Sequence, residues 1–532
     1  MANKLQKFSG TLAAAALFAV ACGIVAYFIL FPAPGYYHSD WSDTLYWAQA
    51  SYQSGRLFDP SFSYAAMLPF GGVLFFLPYL PIWGVSIATQ TAGMLTFAAV
   101  FIAAMVYFFR SWRFTWRGTF LWSAVLLMLF SMSDKLREMF WGHIIYYSLF
   151  LLFLFFGFGL LGRVLEEKKI LKPKNVIRLV LLFVFSFLVG TDGLQVIFIF
   201  IVPLVAAIFL ERFLRVEEPV TGPANRPAIT ILVTILTGTL FGYITIILIK
   251  NGQTAGYADA HFGMTPVDKW IEHLLAIPVH WITLLGVEIP QMNGPLFTIV
   301  DALAGLGVAL FVAVFPLLAA FLYKKTEDRL LKVFTLFHFI LAALIVLGCV
   351  FGSIGGANWR WIPTFGTGLI LSILTFRNLA KNFRAVRFVW LFAPILLAGA
   401  VVNAYEIAAM PEDYGRDNQI YTLTAELESR GLTYGYADFW LSQAITVVSG
   451  SEVVVRGVEI TYENGILPYH YQSSSNWYED QEGIDTYFLL LTDAQYGTFI
   501  ASGARTDHLE VQTEVIDLAE YTLIIYSENI LN

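Results

Sequence analysis

Two carboxylates, Asp40 and Asp43, follow the first long apolar run of the sequence, where the chain should leave a lipid bilayer. Helical spacing would place them on one face, with their Cβ atoms about 5–6 Å apart. Acidic side chains are costly at membrane depth and usually serve a function there. A carboxylate in this position can act as a general base that removes a hydroxyl proton. Alternatively, either acid caps the helix that begins near Trp41 or Ser42.

The loop that carries these acids, residues 32–81, is rich in aromatic and turn residues. It holds, in order, an acid, an aromatic-rich helix, a glycine turn and a proline–glycine segment. The residues concerned are Asp40, Tyr46, Gly55, Phe58-Asp59 and Leu68-Pro69-Phe70-Gly71. This progression resembles the first external loop of the GT-C superfamily of glycosyltransferases and is similar to that of oligosaccharyltransferase catalytic subunits. Its beginning is also similar to protein mannosyltransferases and aminoarabinose transferases. The mannosyltransferase type has an adjacent Asp-Glu pair, whereas two residues separate the acids here.

The resemblance implies an enzyme that transfers a sugar, with inversion, from a polyprenyl-phosphate donor to an extracytoplasmic glycan, lipid or protein. Asp40 is expected to be the catalytic base, with Asp43 as the second choice. A divalent metal is possible as a cofactor, but no ligand motif in the sequence predicts one. No nucleotide-binding or nucleophile motif is present, and nothing is basic enough to bind nucleic acid.

A second group of charged residues lies between the third and fourth predicted spans: Asp134, Lys135, Arg137 and Glu138. It resembles the second acidic motif of GT-C enzymes, which implies that Asp134, Arg137 and Glu138 bind substrate. The alternative is a solvated loop with local ion pairs worth less than about 1 kcal/mol. His143, which opens the next span, is either a further substrate contact or an interfacial anchor.

Arg360 lies between Trp359 and Trp361 and is followed by Pro363, a pattern similar to one found late in GT-C membrane domains. The resemblance implies that Arg360 binds the donor phosphate and stabilises the charge on the leaving group. The two tryptophans need no function beyond an interfacial aromatic belt. Arg360 itself could be a snorkelling anchor.

The composition predicts a polytopic α-helical membrane protein, because 58% of the 532 residues are hydrophobic and only 13% are charged. Soluble proteins carry about 25% charged residues. About eleven transmembrane spans are expected, the first an uncleaved helix rather than a signal peptide. They lie near 10–31, 82–109, 119–132, 143–162, 177–191, 193–211, 228–249, 295–323, 331–352, 362–376 and 388–408.

Positive charge sets the expected orientation, since cytoplasmic loops carry an excess of Lys and Arg. With the N-terminus inside, the inner loops hold 22 basic residues and the outer loops 6. This distribution predicts a multi-pass protein of the cell membrane, in contact with lipid, with a cytoplasmic N-terminus and an extracytoplasmic C-terminus.

The composition changes after residue 408. Residues 409–532 hold 20 acidic and four basic residues, a net charge of −16, which leaves +9 for the rest. Strands are predicted at 431–437, 451–460, 487–491 and 521–526, with a helix at 438–448. The predicted organisation is therefore a transmembrane domain, 1–408, with a catalytic external loop, 32–81, and a small α/β extracytoplasmic domain, 409–532.

Two further function classes fit the same sequence. One is a transporter or flippase of a lipid-linked glycan, although such proteins place ionisable residues near the bilayer midplane. Here those residues gather toward the predicted outer ends of the spans. The other is a non-catalytic assembly or sensor protein whose C-terminal domain binds a partner. The cysteines Cys22 and Cys349 both lie in apolar runs, so no disulfide framework is expected.

Overall fold

The structure is a computed structural model that describes residues 2–66, 68, 71–165, 172–213, 226–250, 263–287, 296–382, 392–411, 418–502 and 508–531. Pro69 and Phe70 of the loop that carries the two acids lie outside these ranges, as do Asp259 and His261 between the seventh and eighth predicted spans.

Helices dominate the described part of the chain. In chain order they are α1 (Ala2–Leu30), α2 (Asp43–Ser54), α3 (Val73–Phe76), α4 (Leu80–Trp83), α5 (Ile87–Ser111), α6 (Trp116–Leu129), α7 (Asp134–Arg137), α8 (Tyr146–Val164), α9 (Pro173–Thr191), α10 (Leu194–Val196), α11 (Val202–Phe213), α12 (Arg226–Lys250), α13 (Trp270–Leu284), α14 (Leu296–Phe321), α15 (Arg329–Val346), α16 (Ile362–Asn382), α17 (Phe392–Ala409), α18 (Gln419–Ser429), α19 (Phe439–Val448) and α20 (Asp493–Ala501). The strands are β1 (Phe62–Ser63), β2 (Tyr434–Ala437), β3 (Val454–Thr461), β4 (Gly465–Pro468), β5 (Ser473–Ser474), β6 (Tyr487–Thr492), β7 (Gln512–Asp517) and β8 (Tyr521–Tyr526).

Nine helices within the described ranges are long and apolar enough to cross a membrane. They are Phe8–Leu30, Ile87–Ser111, Tyr146–Val164, Pro173–Thr191, Leu194–Arg212, Arg226–Lys250, Thr298–Phe321, Arg329–Phe351 and Phe392–Ala409. A tenth arises if Trp116–Leu129 and Asp134–Gly142, which meet at 113°, count as one broken span. The prediction of a polytopic helical protein with a small sheet near its C-terminus is confirmed at this level.

The expected span at 362–376 is a full helix, α16, but it is not among the nine. Its sequence IPTFGTGLILSILTFRNLAKN contains threonines, glycines and Arg377, all of which lower its hydropathy.

The contacts divide the chain into two compact units, each of which is described by itself. The helical unit comprises Met1–Tyr27, Ala98–Leu248 and Ala260–Ala409. The loop–sheet unit comprises Phe28–Phe97, Ile249–Asp259 and Met410–Asn532.

The helical unit owes much of its close packing to small residues and buried aromatic rings. A Cβ atom on Gly242 of α12 would lie 2.0 Å from the carbonyl oxygen of Phe187 on α9, so only glycine permits this approach. Deeper in the unit, the rings of Phe158, Phe334 and Phe337 pack against one another with centroids 4.7–6.1 Å apart. Their burial fixes α8 against α15.

The loop–sheet unit is built on a six-stranded mixed sheet with strand order β4-β3-β2-β6-β8-β7. β2 pairs in parallel with both β3 and β6, and the remaining pairs are antiparallel. The predicted strand–helix–strand succession at 431–460 is present as β2, α19 and β3. The edge strands β4 and β7 were not predicted.

The carboxylate loop, residues 32–81, packs against the C-terminal part of the same unit. β1 of the loop pairs antiparallel with β5, and the Ser61 and Ser474 hydroxyl oxygens are 3.0 Å apart. The Tyr421 hydroxyl donates to the carbonyl oxygen of Pro34 at 3.1 Å, and the Asn418 amide donates to that of Gly35 at 2.9 Å. The loop and the sheet therefore share one interior.

A buried hydrogen bond links the same two regions, from the Trp47 indole nitrogen to the Gln472 side-chain oxygen. We expect Gln472→Leu to lower the Tm of the full-length protein, because it leaves the buried indole N–H unsatisfied at a cost of about 1–3 kcal/mol. The double variant Trp47→Phe/Gln472→Leu should lose less than the sum of the single losses. Gln419→Leu, at an exposed glutamine of the same unit, is the control. Additive losses in the double variant would contradict the pairing.

Candidate functional site

Asp40 and Asp43 lie at the join of two helical segments. Asp40 is in a 3-10 helix, Ser39–Ser42, and Asp43 is the first residue of α2. The N-cap position of α2 is Ser42, which makes no side-chain capping bond, so neither acid is its N-cap. The backbone N–H of Asp43 donates to the carbonyl oxygen of Asp40, which keeps the two residues in adjoining turns.

The two serines that flank Asp40 are fully buried against α19. The Ser39 hydroxyl donates to the carbonyl oxygen of Trp440 at 3.0 Å and accepts from the backbone N–H of Ala444 at 3.3 Å. The Ser42 hydroxyl lies 2.8 Å from the Gln443 side-chain oxygen. These contacts hold the backbone on both sides of Asp40 against α19.

Asp43 is partly exposed as a residue, but its Oδ1 atom is buried and has no hydrogen-bond partner. Burial, followed by the neighbouring negative charge of Asp40, raises the pKa of Asp43 well above its usual range, while the Gln472 side chain acts in the opposite direction. Asp40 is also partly exposed. The raised pKa favours a protonated Asp43 beside the carboxyl of Asp40. Differing environments of two neighbouring acids are typical of acid–base pairs in enzymes.

Arg456, one of the four basic residues of the acidic C-terminal region, lies near α2. Arg456 of β3 is buried, and its guanidinium carbon is 3.8 Å from the ring centroid of Trp477. The Tyr46 ring, one turn after Asp43, is 5.7 Å from that of Trp477. Gln443, Gln472 and Arg456 were missed because no local pattern signals a contact across about 400 residues of sequence.

In the helical unit, the charged residues predicted to bind substrate form ion pairs mainly with one another. Arg137 is buried and contacts Asp134 Oδ1 at 2.5 Å and the carbonyl oxygen of Ser131 at 2.9 Å. Its Nη1 atom is also 3.8 Å from Glu406 on α17. The contact with Glu406 ties this short helix to the last apolar helix, which no sequence pattern indicated.

Glu138 and His143 complete that cluster. Glu138 pairs with Lys135 and begins a π-helical turn, Glu138–Gly142. His143 follows the turn, is 3% exposed, and donates its backbone N–H to the Glu138 carbonyl oxygen at 3.2 Å. At 3% exposure it is not an anchor at a lipid surface in this arrangement.

Arg360 lies in a 3-10 helix, Asn358–Trp361, and is neighbour to the cluster just described. The Lys135 ammonium is 4.8 Å from the Trp359 ring centroid, which brings the two loops together. Arg360 Nε is buried without a hydrogen-bond partner. Within the described ranges Arg360 has no carboxylate partner.

No group of three His, Cys, Asp or Glu side chains that could hold a metal ion occurs among the residues the structure describes. Asp259 and His261, which lie between the seventh and eighth predicted spans, are outside that part.

No family model matches the sequence, and no curated protein matches it.

The pKa of Asp43 makes stability depend on pH in a definite direction. An acid whose pKa is raised by folding stabilises the fold below its unfolded pKa, near 4, and loses that contribution as pH rises through the folded pKa. We expect Asp43→Asn to match the wild type near pH 4 and to have a higher Tm at neutral pH, because no buried charge then forms. Asp485→Asn, at an exposed aspartate of the same unit, is the control. An unchanged difference in Tm from pH 4 to 8 would contradict the raised pKa.

Proposed function

We propose that this protein is a GT-C-type glycosyltransferase that uses a polyprenyl-phosphate-linked sugar at the extracytoplasmic surface of the cell membrane. The observation that carries the proposal is the Asp40–Asp43 pair, held in place by buried serines, in which burial raises the pKa of Asp43. Apolar helices long enough to cross a membrane support a lipid-linked donor. The acceptor is an extracytoplasmic glycan, lipid or protein.

In the proposed reaction, Asp40 accepts the proton of the acceptor hydroxyl. The hydroxyl oxygen forms a bond to the anomeric carbon as the bond to the donor phosphate oxygen breaks, and the polyprenyl phosphate leaves with that electron pair. Asp43 favours its protonated form, which lowers the repulsion that a second negative charge would impose on Asp40. Asp43 is therefore a positioning residue that keeps its neighbour ionised.

The leaving phosphate gains charge during transfer and needs a cation. We assign this role to Arg360, whose guanidinium has no carboxylate partner in the described part of the chain and whose Nε is buried and unsatisfied. Arginine suits the role because its planar fork matches two phosphate oxygens at once. Asp134, Arg137, Glu138 and His143 support the neighbouring loop in this proposal, and contact of any of them with substrate is a further expectation.

The base assignment is tested by Asp40→Asn, which removes the base and preserves side-chain size. We expect a loss of transfer of about 10²–10⁴-fold, the usual contribution of a general base, with expression unchanged. The measurement is mass spectrometry of the cell-envelope glycans of a strain that lacks the protein and is complemented with each variant. Asp485→Asn should restore the wild-type glycans. Full restoration by Asp40→Asn would show that Asp40 is not the base.

The same experiment separates the proposal from a flippase. A strain without a glycosyltransferase should accumulate the acceptor lacking one sugar. A strain without a flippase should instead accumulate the complete lipid-linked glycan. Finding the complete glycan would exclude the transferase.

Two substitutions test whether Arg360 binds the donor phosphate, because they separate the effect of its positive charge from that of its planar guanidinium group. Arg360→Lys keeps the charge but loses the planar group that donates to two phosphate oxygens at once, and Arg360→Ala loses both. The bonds concerned are worth about 1.5–3 kcal/mol in the ground state, and we expect turnover to fall further than the Michaelis constant rises, with Ala far worse than Lys. Lys269→Ala, at an exposed basic residue of the same unit, controls for a general loss of charge. Full activity of Arg360→Ala, or free replacement by Lys, would indicate a membrane anchor.

A further inference from the structure

Arg456 is a buried cation without a carboxylate partner among the described residues. It is 9% exposed, and its Nε and Nη1 atoms are buried without a hydrogen-bond partner. A buried charge is costly unless it is paired and hydrogen-bonded. The ring of Trp477, 3.8 Å away, offers a cation–π contact but no acceptor for these N–H groups. The hydroxyls of Tyr46 and Tyr434 lie close to Arg456, but a hydroxyl carries no charge, so no carboxylate of the described residues balances the guanidinium.

Other buried polar groups lie on α2 and in the segment before β5, which contacts α2 through Trp47. The Tyr46 hydroxyl is buried beside Arg456 and Thr446, and the charge of Arg456 and the two side chains oppose the rise that burial causes in the pKa of Tyr46. The Gln472 side chain accepts from the Trp47 indole and is buried, with its amide nitrogen on the side of the Asp43 carboxyl. Arginine and amide nitrogens are donors only, and a hydroxyl can donate. A set of donors of this kind fits a ligand rich in acceptor oxygens.

We propose that Arg456, with Tyr46 and Trp477 around it, binds an oxyanion carried by the acceptor, which is then an anionic sugar such as a uronic acid or a sugar phosphate. The oxyanion supplies acceptors for the unsatisfied N–H groups and balances the buried charge.

Binding of an oxyanion follows from the loop–sheet unit alone, whereas its assignment to the acceptor rests on the proposed function. Tyr46 is about one helical turn from Asp43 on α2, and Arg456 lies close to Tyr46, so a ligand held at Arg456 is near the helix that begins with Asp43. In the proposed reaction the base acts on the acceptor hydroxyl, and a neighbouring recognition group selects the molecule that carries it.

The experiment measures the Tm of the full-length protein in detergent with glucuronate, glucose 6-phosphate, inorganic phosphate or glucose, at constant ionic strength in chloride. We expect a rise of about 2–6 °C with the two anionic sugars, as for any ligand that binds only the folded state, and no rise with glucose. A rise with inorganic phosphate alone would show an anion site without sugar recognition and would overturn the acceptor assignment.

Arg456→Met supplies the decisive variant because it preserves the apolar stem and removes the charge. We expect it to fold with an equal or higher Tm in chloride, since a buried unpaired charge is lost, and to show no response to the anionic sugars. Arg430→Met, at an arginine paired with Glu426 on the surface, should respond like the wild type. A wild type that responds to no anion, or an Arg456→Met variant that still responds, would overturn the site.

The change in Tm with anionic sugars can be measured whether or not the protein is a glycosyltransferase. If the anionic sugars bind but the envelope glycans of the deletion strain are unchanged, the site stands and the transferase proposal fails. If the glycans change and the wild-type Tm ignores every anion, the transferase stands and the site fails.

Discussion

The position of the carboxylates depends on hydrogen bonds between the carboxylate loop and two later segments, α19 and the residue that precedes β5. Ser39, Ser42 and Trp47 of the loop contact Trp440, Gln443 and Gln472, all of which lie about 400 residues later in the chain. A buried polar group that loses its partner costs about 1–3 kcal/mol, so this network tolerates little sliding of one segment against the other. The acids are thus oriented by the sheet-bearing part of the chain, whose residues carry no catalytic motif.

The same burial has an electrostatic consequence for the acids. Excluding water around α2 raises the pKa of Asp43, and the nearby charge of Asp40 adds to the effect. A fold selected for stability alone would place apolar side chains at such positions. The buried atoms of Asp43 and Arg456 lower stability, and the binding of substrate proposed above would account for that loss, because functional sites commonly lower stability.

Local patterns predicted the elements well, because hydropathy and periodicity are local properties. They gave the long apolar helices and the strand–helix–strand succession β2, α19, β3. They did not give the edge strands β4 and β7, whose pairing depends on distant neighbours, or the partners of the loop. Asp40 and Asp43 were recognised from their spacing, whereas Gln443 and Arg456 have meaning only through contacts that folding creates. Asp134 and Arg137 were expected to bind substrate, and the structure places each as the ion-pair partner of the other.

The most direct test of this account is a disulfide between the carboxylate loop and its support. The Ser61 and Ser474 hydroxyl oxygens are 3.0 Å apart, so cysteines at both positions should form a disulfide in intact membranes without rearrangement of the backbone. We predict a shift in gel mobility for Ser61→Cys/Ser474→Cys that reductant reverses, and none for either single variant. Absence of the cross-link in well-expressed, folded protein would contradict the claim that the C-terminal residues hold the loop and its carboxylates.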